Sequence, residues 1–390
     1  MDRYIGLDVH AASCTAALMD AQGKRLGAHV IETNGQALVK FLTAQPGKLK
    51  VCMEEGAQSE WLYQILSPHV QEVVVTRVLE KSGAPSQKND ERDAYDLADR
   101  HRRGGLPTPV WKDRGTLTTL RQLVKVHTSI VRDTVRVKNR SRALFRSRGL
   151  HVTSGSVYTE KGRQAWLERL PPNSRTSISL LYAEHDKLSE VRDRAQKDLV
   201  TESHRHPIAE ILETCPGIGD IRAAQILATV MTPERFRTRQ QFWAYCGLGI
   251  VMRSSSDWAQ TSDGKWVRAK AQRTFGLNLA HNAMLKYVFK SAATSILQQH
   301  RTSTLFMDYE RSLAGGTKPN IAKVTLARKL AATALRCGRR RRLTIQRNGS
   351  RRLQNLSPRT AANERRNTQL VDSEFVQYRE DRSESEESIH

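Results

Sequence analysis

The first 76 residues contain short apolar segments whose order limits the possible fold. Residues 4–10, 14–19 and 25–32 are rich in strand-forming residues and are separated by short turns, so we predict three strands connected as hairpins. A helix, a strand at 48–53, a second helix and a strand at 72–75 follow. Hairpins followed by alternating helices and strands predict a mixed sheet with helices on its faces.

A predicted helix start within residues 88–99 concentrates acidic side chains. Asn89 is a favourable N-cap, and acids are favourable in the first turn of a helix. Asp90 and Asp93 are three residues apart, so they project from the same face. Two such carboxylates repel each other unless a cation or solvent screens them. By itself, the segment fits an exposed acidic turn as well as a metal site.

Two predicted strands end in further acids. Asp8 lies at the end of the first strand, and Glu54 follows the fourth. A helix packed across the sheet would bring Asp8, Glu54, Asp90 and Asp93 together. Carboxylate oxygens are the ligands that Mg²⁺ prefers, and such a group in a very basic chain favours Mg²⁺-assisted phosphoryl chemistry.

The charge of the chain indicates a polyanionic partner. Its 63 Lys and Arg against 40 Asp and Glu give a formal net charge of +23, and nucleic acid is the usual partner of such a chain. We find no basic amphipathic helix with a strong aromatic face and no apolar run of about 18 residues, so no membrane partner is expected. The five cysteines are scattered without C-x-x-C pairs, which predicts reduced thiols in a cytoplasmic protein.

Residues 116–150 have the apolar periodicity of one long amphipathic helix. Between Lys112 and Arg148 there are eleven Lys and Arg but only two Asp. A solvated charged face is the ordinary explanation for such a run, but the scarcity of acids favours a surface that follows phosphates. Arg136 and Arg140 are the predicted contacts. A second helix at about 177–202 is predicted to pair with the first as a coiled-coil-like hairpin.

The motif P-G-I-G at residues 216–219 precedes another helical pattern. In a helix–hairpin–helix, glycines such as Gly217 and Gly219 let backbone N–H groups approach a DNA phosphate at a helix N-terminus. A purely structural turn between helices has the same sequence. Beyond Cys337 the chain becomes rich in Arg, Ser, Asn and Glu, and we predict a disordered tail at 338–390.

Three motifs together carry a family resemblance: G-L-D-V-H at 6–10, V-C-M-E-E-G at 51–56 and K-N-D-E-R-D-A at 88–94. They resemble the DEDD transposases of insertion-sequence family one-ten, which includes the Piv-type DNA invertases. The resemblance covers about residues 4–335. It implies an α/β domain of RuvC/ribonuclease-H-like fold at 1–108, an all-α helical linker at 109–205, and a helical transposase domain with the helix–hairpin–helix at 206–337.

The resemblance also implies a mechanism. Asp8, Glu54, Asp90 and Asp93 match the four metal-binding acids, with the adjacent Glu55 as the alternative to Glu54. Two Mg²⁺ ions about 4 Å apart would act on the scissile phosphate.

The segment 247–258 matches the region that carries the family's nucleophilic serine, which is expected at Ser255. Ser254 is the alternative, because Ser256 stands where glycine is common. Arg253 would stabilise negative charge on the phosphorane.

The partners implied by the resemblance are donor and target DNA, a noncoding bridge RNA that pairs with both, and further copies of the chain in a dimer or tetramer. Two other functions remain open at this point. One is a RuvC-like metal nuclease that hydrolyses DNA without a covalent intermediate. The other is an inactive copy that only binds nucleic acid.

Overall fold

The computed structural model describes residues 1–77, 89–107, 109–112, 115–152, 155–253, 258–268 and 273–354. It divides into two units, Met1–Thr119 and Leu120–His390. None of the described helices is both long enough and apolar enough to cross a lipid bilayer.

The first unit is a five-stranded mixed sheet with helices, as the sequence predicts. Its elements are β1 (Asp2–Val9), β2 (Ser13–Asp20), β3 (Arg25–Glu32), α1 (Gly35–Thr43), β4 (Lys48–Glu54), α2 (Ser59–Leu66), a 3₁₀ turn (Ser67–His69), β5 (Glu72–Thr76) and α3 (Asp90–Arg102). The strand order is β3-β2-β1-β4-β5. The hairpin strands β1, β2 and β3 pair antiparallel, whereas β4 pairs parallel with both β1 and β5.

The two faces of this sheet carry different layers. The odd-numbered residues Ile5 and Leu7 of β1 and Leu49, Val51 and Met53 of β4 are buried in a core shared with α1 and α2. The even-numbered residues face α3, because side chains alternate between the faces of a strand. Cys52 shows this placement, since its Sγ donates a 3.2 Å hydrogen bond to the carbonyl oxygen of Leu97 in α3.

Gly6 allows α3 to lie directly on β1. A Cβ atom at Gly6 would lie 2.0 Å from the carbonyl oxygen of Ala94 and 2.8 Å from the amide nitrogen of Ala98. Both are backbone atoms, so neither can rotate away. The glycine therefore sets the distance between β1 and the helix that carries the predicted acids.

A Gly6→Ala variant is expected to be less stable by about 1–3 kcal/mol, because the added methyl group forces α3 away from the sheet. Gly56→Ala is the matched control, since a Cβ there meets nothing within 4 Å. Thermal unfolding of the two variants measures the effect. A melting temperature of Gly6→Ala equal to that of Gly56→Ala would contradict this close packing.

The second unit is mostly helical. Its elements are α4 (Thr118–Ser147), a 3₁₀ turn (Gly155–Tyr158), α5 (Glu160–Glu168), α6 (Pro172–His204), α7 (Ile208–Glu213), α8 (Asp220–Val230), a 3₁₀ turn (Pro233–Arg235), α9 (Arg239–Tyr245), β6 (Ile250–Arg253), β7 (Trp258–Gln260), β8 (Trp266–Arg268), β9 (Arg273–Leu277), α10 (Ala283–Gln299), α11 (Thr304–Ala314) and α12 (Pro319–Gln354). The short strands form two separate antiparallel pairs, β6 with β9 and β7 with β8. The main core of this unit packs α8, α9, α10 and α12 together around Phe242 and Phe289.

The end of α12 differs from the predicted tail. The helix continues to Gln354, so 338–354 is helical where we predict disorder, and 355–390 lies outside the described residues. The physical reason is that Arg, Leu and Gln are good helix formers. They also extend an existing helix, which avoids the cost of nucleating a new one.

His127 of α4 is buried, with 4% of its surface exposed, and neither ring nitrogen has a hydrogen-bond partner within the described residues. Burial, and to a smaller extent the positive charge of Arg192, lower the pKa of His127 below its ordinary value of 6.5. A lowered pKa in the folded state means that the unfolded chain binds the proton more readily. Stability from this residue is therefore complete above about pH 6.5 and is lost as the pH falls below it.

We expect the melting temperature of the wild type to fall by roughly 2–4 °C more than that of His127→Leu between pH 7.5 and pH 5.5, since leucine fills the site without a proton. Thermal unfolding at both pH values measures this difference. His185→Leu is a second variant for the same measurement at both pH values, because burial also lowers the pKa of His185. Equal pH dependence in the wild type and His127→Leu would show that His127 does not titrate in this range.

Candidate metal centre

Asp8 lies near the carboxyl end of the central strand β1. We call this end of the sheet, where the carboxyl ends of β1 and β4 lie side by side, the sheet edge. It is an even-numbered residue of β1, so its side chain is on the face covered by α3. Asn89 caps α3 by accepting hydrogen bonds from the amides of Glu91 and Arg92, which fixes the start of the helix as the sequence predicts. Asp90 is the first residue of α3 and comes close to Asp8.

His10 lies between these two acids. Its Nε2 atom is 3.3 Å from Oδ2 of Asp8 and 3.4 Å from Oδ2 of Asp90. One ligand atom from each of the three residues lies within 4.8 Å of the others, and within the described residues this is the one group of this kind. The side chains of Asp8, His10 and Asp90 are 23, 40 and 48% exposed. The group is therefore open to a phosphate approaching from solvent.

The residues present fit a divalent cation. Oδ2 of Asp8 and Nε2 of His10 are buried atoms that lack a hydrogen-bond partner within the described part of the chain. Two carboxylates at this distance also repel each other unless positive charge lies between them. Carboxylate oxygens suit Mg²⁺ and Mn²⁺, and an imidazole nitrogen suits transition metals.

The other two predicted acids are near this edge but outside the group. Glu54 is the last residue of β4 and is even-numbered, so its side chain is on the same face as Cys52 and α3. β1 and β4 are parallel neighbours whose pairing ends at Leu7 and Met53, which puts Asp8 and Glu54 one position further along. Asp93 lies one turn after Asp90 on α3. The structure thus brings Asp8 and Asp90 together and leaves Glu54 and Asp93 adjacent to them.

Glu55, the alternative to Glu54, is engaged elsewhere. Its Oε1 is 3.0 Å from Nζ of Lys112, and its amide donates a 2.7 Å hydrogen bond to the carbonyl oxygen of Thr76. The Glu55 carboxylate therefore already has a cationic partner in Lys112.

His10 is the residue that the sequence reasoning missed. The signal was present, because His10 is two residues after Asp8 and residues at that spacing share one face of an extended chain. In the motif G-L-D-V-H, the prediction from sequence rests on Asp8 alone.

The predicted nucleophile lies outside the described residues. β6 ends at Arg253 and β7 begins at Trp258, and both Ser254 and Ser255 fall between them.

The two glycines of the P-G-I-G turn have different surroundings. Gly217 is buried with φ +77°, and a Cβ there would lie 2.6 Å from the carbonyl oxygen of Ala292 in α10. Gly219 is exposed at the N-cap of α8, and a Cβ there meets nothing within 4 Å. Packing against α10 therefore accounts for Gly217, and Gly219 is the position open to an approaching phosphate.

The two predicted arginine contacts on α4 take part in surface ion pairs. Arg136 pairs with Asp133 on the same helix. Arg140 donates a 2.6 Å hydrogen bond to Oε1 of Glu184 on α6. Both arginine side chains are more than half exposed. Exposed pairs of this kind contribute about 0–1 kcal/mol, so a phosphate can compete for either arginine.

Comparison with known proteins identifies the family. Residues 5–148 match the family model of the IS110 DEDD transposases, and residues 209–304 match the family described as "Transposase IS116/IS110/IS902 family". A relative from Sinorhizobium fredii (strain NBRC 101917 / NGR234), "Putative transposase y4pF/y4sB", is 25% identical over 306 residues, which cover 76% of this chain and 74% of the relative. The chain belongs to the IS110 family of transposases, enzymes that cut and rejoin DNA.

Proposed function

We propose that this transposase cuts and rejoins DNA with Ser255 as nucleophile and with Asp8, Glu54, Asp90 and Asp93 holding Mg²⁺, and that a noncoding bridge RNA guides it. The observation that carries the metal part is the approach of Asp8, His10 and Asp90 at one edge of the sheet, with two buried polar atoms lacking hydrogen-bond partners there. Glu54 lies on the same face of the neighbouring strand, and Asp93 lies one turn along α3. His10 is an additional ligand or an orienting group for Asp8.

The proposed chemistry needs both units of the chain. A bound divalent cation supplies a Lewis acid and a template for the scissile phosphate. The acids hold negative charge in place at the sheet edge, and α3 directs its positive N-terminal end toward them. The hydroxyl oxygen of Ser255 attacks the phosphorus, a P–O bond of the DNA breaks, and the leaving strand departs as a hydroxyl. The phosphoserine ester keeps the strand available for rejoining, and Arg253 supplies positive charge for the phosphorane.

The domain organisation is part of the same proposal. The first unit has the RuvC-like fold, residues 109–205 form the linker, and 206–337 form the transposase domain. Helices α7 and α8, with the turn 215–219 between them, are the proposed helix–hairpin–helix. The open N-cap at Gly219 supports a phosphate contact there.

The proposed partners follow from charge and from the family. The basic face of α4, including Arg136 and Arg140, contacts the backbone of DNA or RNA. Sequence choice lies in base pairing with the RNA, so the protein recognises backbone shape and charge, as in other RNA-guided systems. A dimer or tetramer would bring the acids of one copy to the serine of another.

A cleavage assay with paired variants tests the acidic site. With cognate DNA, co-expressed RNA and Mg²⁺, we expect Glu54→Gln to cut at least about 100-fold more slowly than wild type, because loss of one ligand charge weakens a contribution of several kcal/mol. Glu55→Gln is the matched control and is expected to retain cleavage within a few-fold. Cleavage by the wild type is expected to stop when EDTA removes the metal.

Three other results would change the proposal. Loss of cleavage in Glu55→Gln but not in Glu54→Gln would move the acid by one residue. Cleavage that persists in EDTA would exclude the metal site. A wild type that binds DNA but never cuts it would establish the inactive copy.

A further inference from the structure

The hairpin formed by β7 and β8 presents two tryptophans to solvent. These strands pair only with each other within the described residues, and each is three residues long. Trp258 is 58% exposed and Trp266 is 63% exposed. Most large apolar side chains of this unit are buried in its core, so two exposed tryptophans on one short hairpin are unusual.

The two tryptophans share one face of the hairpin. Gln260 is directly opposite Trp266 in the antiparallel register, and residues directly opposite each other point to the same side of a sheet. Trp258 is two residues before Gln260 on the same strand, so it points to that side as well. Trp258 and Trp266 are therefore diagonal neighbours, typically about 7–8 Å apart. Val267 lies on the opposite side because it follows Trp266 directly.

Stability does not explain this arrangement. A two-stranded hairpin is marginally stable in water by itself, and exposed indole rings add apolar surface that the fold does not bury. An exposed aromatic face of this kind indicates a surface that a partner covers. The spacing of the rings and the local charge then define which partner fits.

The chemistry of the segment favours unpaired nucleic-acid bases. Between Arg253 and Arg273 the sequence contains five Lys and Arg but only two Asp. Basic residues beside exposed aromatic rings are the combination that binds single strands, in which bases stack on the rings and the backbone follows the positive charge. Bases in an intact duplex are already stacked on each other. DNA whose strands have been opened offers the free base faces that two diagonal indoles can contact.

We propose that Trp258 and Trp266 stack on unpaired DNA bases beside the point of cleavage. The position beside the cleavage point rests on the proposed function, because Trp258 is three residues after Ser255 in the sequence. The binding itself needs no cleavage, so the two proposals can fail separately. The hairpin would hold the opened strand next to the serine while the guide pairs with the other strand.

Binding of the full chain to three probes tests the proposal, in EDTA so that no cutting occurs. The probes are a fluorescent 20-nucleotide oligodeoxythymidine, its duplex with oligodeoxyadenosine, and oligouridine of the same length. Trp258→Leu and Trp266→Leu keep an apolar residue in the hairpin but remove the aromatic face. Each is expected to weaken binding of oligodeoxythymidine by roughly 5- to 150-fold and to leave duplex binding unchanged.

Three further variants separate stacking from folding. Trp258→Phe and Trp266→Phe keep an aromatic ring, so they are expected to retain most of the affinity. Val267→Thr alters the other face of the same hairpin and is expected to bind like wild type. As a direct signature, the emission of 2-aminopurine placed within the oligodeoxythymidine is expected to be quenched by wild type and not by the leucine variants.

Several outcomes would overturn the proposal. These are single-strand binding within two-fold of wild type in both leucine variants, an equal loss on single-stranded and duplex DNA, or a loss confined to oligouridine. A change in the mass of the leucine variants by light scattering, with unchanged binding to oligodeoxythymidine, would instead make this face a contact between copies of the chain.

Discussion

An Asp8→Asn variant is expected to cut DNA at least about 1,000-fold more slowly than wild type, because the substitution keeps the shape of the side chain and removes its charge. Asp8 has this importance because it lies on the central strand β1, which pairs with both β2 and β4, and its Oδ2 lies 3.3 Å from Nε2 of His10. Oδ2 of Asp8 is also buried without a hydrogen-bond partner in the described structure. The rate of a single turnover with cognate DNA, RNA and Mg²⁺ measures the effect.

The matched control for Asp8 lies on the same strand and on the same face. Asp2 is an even-numbered residue at the other end of β1, where its Oδ2 is 3.2 Å from Nζ of Lys50. Asp2→Asn is expected to cut DNA within a few-fold of wild type. If Asp8→Asn retains wild-type cleavage, the acidic edge of the sheet does not perform the chemistry and the proposal is wrong.

A Ser255→Ala variant is expected to form no covalent protein–DNA adduct and to leave donor DNA uncut. The reason is that the serine oxygen forms the only bond that the proposed first step makes to phosphorus. Denaturing gels of reactions with labelled DNA, co-expressed RNA and Mg²⁺ measure the adduct. Asp93→Ala is expected to lose the adduct as well, because the acids and the serine act in one step.

The neighbouring serines supply the controls. Ser254→Ala and Ser256→Ala are expected to form the adduct as wild type does. An adduct that is lost in Ser254→Ala but kept in Ser255→Ala would move the nucleophile by one residue. DNA cut without any adduct, and equally by Ser255→Ala, would establish a metal nuclease that uses water.

The sheet of the first unit could be predicted because its signals are local. Hairpin turns and apolar strands define β1, β2 and β3, and the N-cap at Asn89 defines the start of α3. The meeting of Asp8 with Asp90 depends on a helix crossing the sheet, which follows from the fold class. The short distance between Asp8 and Asp90 depends on Gly6, because a residue without a side chain lets α3 approach β1 closely.

Other features depend on contacts that sequence patterns do not record. Gly217 carries the helix–hairpin–helix pattern, but it is buried against Ala292, which is 75 residues away in the sequence. The helical stretch 338–354 has a composition typical of disorder and continues an existing helix. The role of His10 depends on its contact with Asp90, which lies on another element. The motif G-L-D-V-H shows that His10 is two residues after Asp8, but it does not show that His10 also lies beside Asp90.

The most direct test of the metal centre is an anomalous diffraction experiment on crystals of the full chain grown with Mn²⁺. We expect a manganese peak between the carboxylates of Asp8 and Asp90, within coordination distance of both, and no such peak in Asp8→Asn. The contradicting result is a map with no peak at this edge of the sheet and with the ring of His10 still between the two carboxylates.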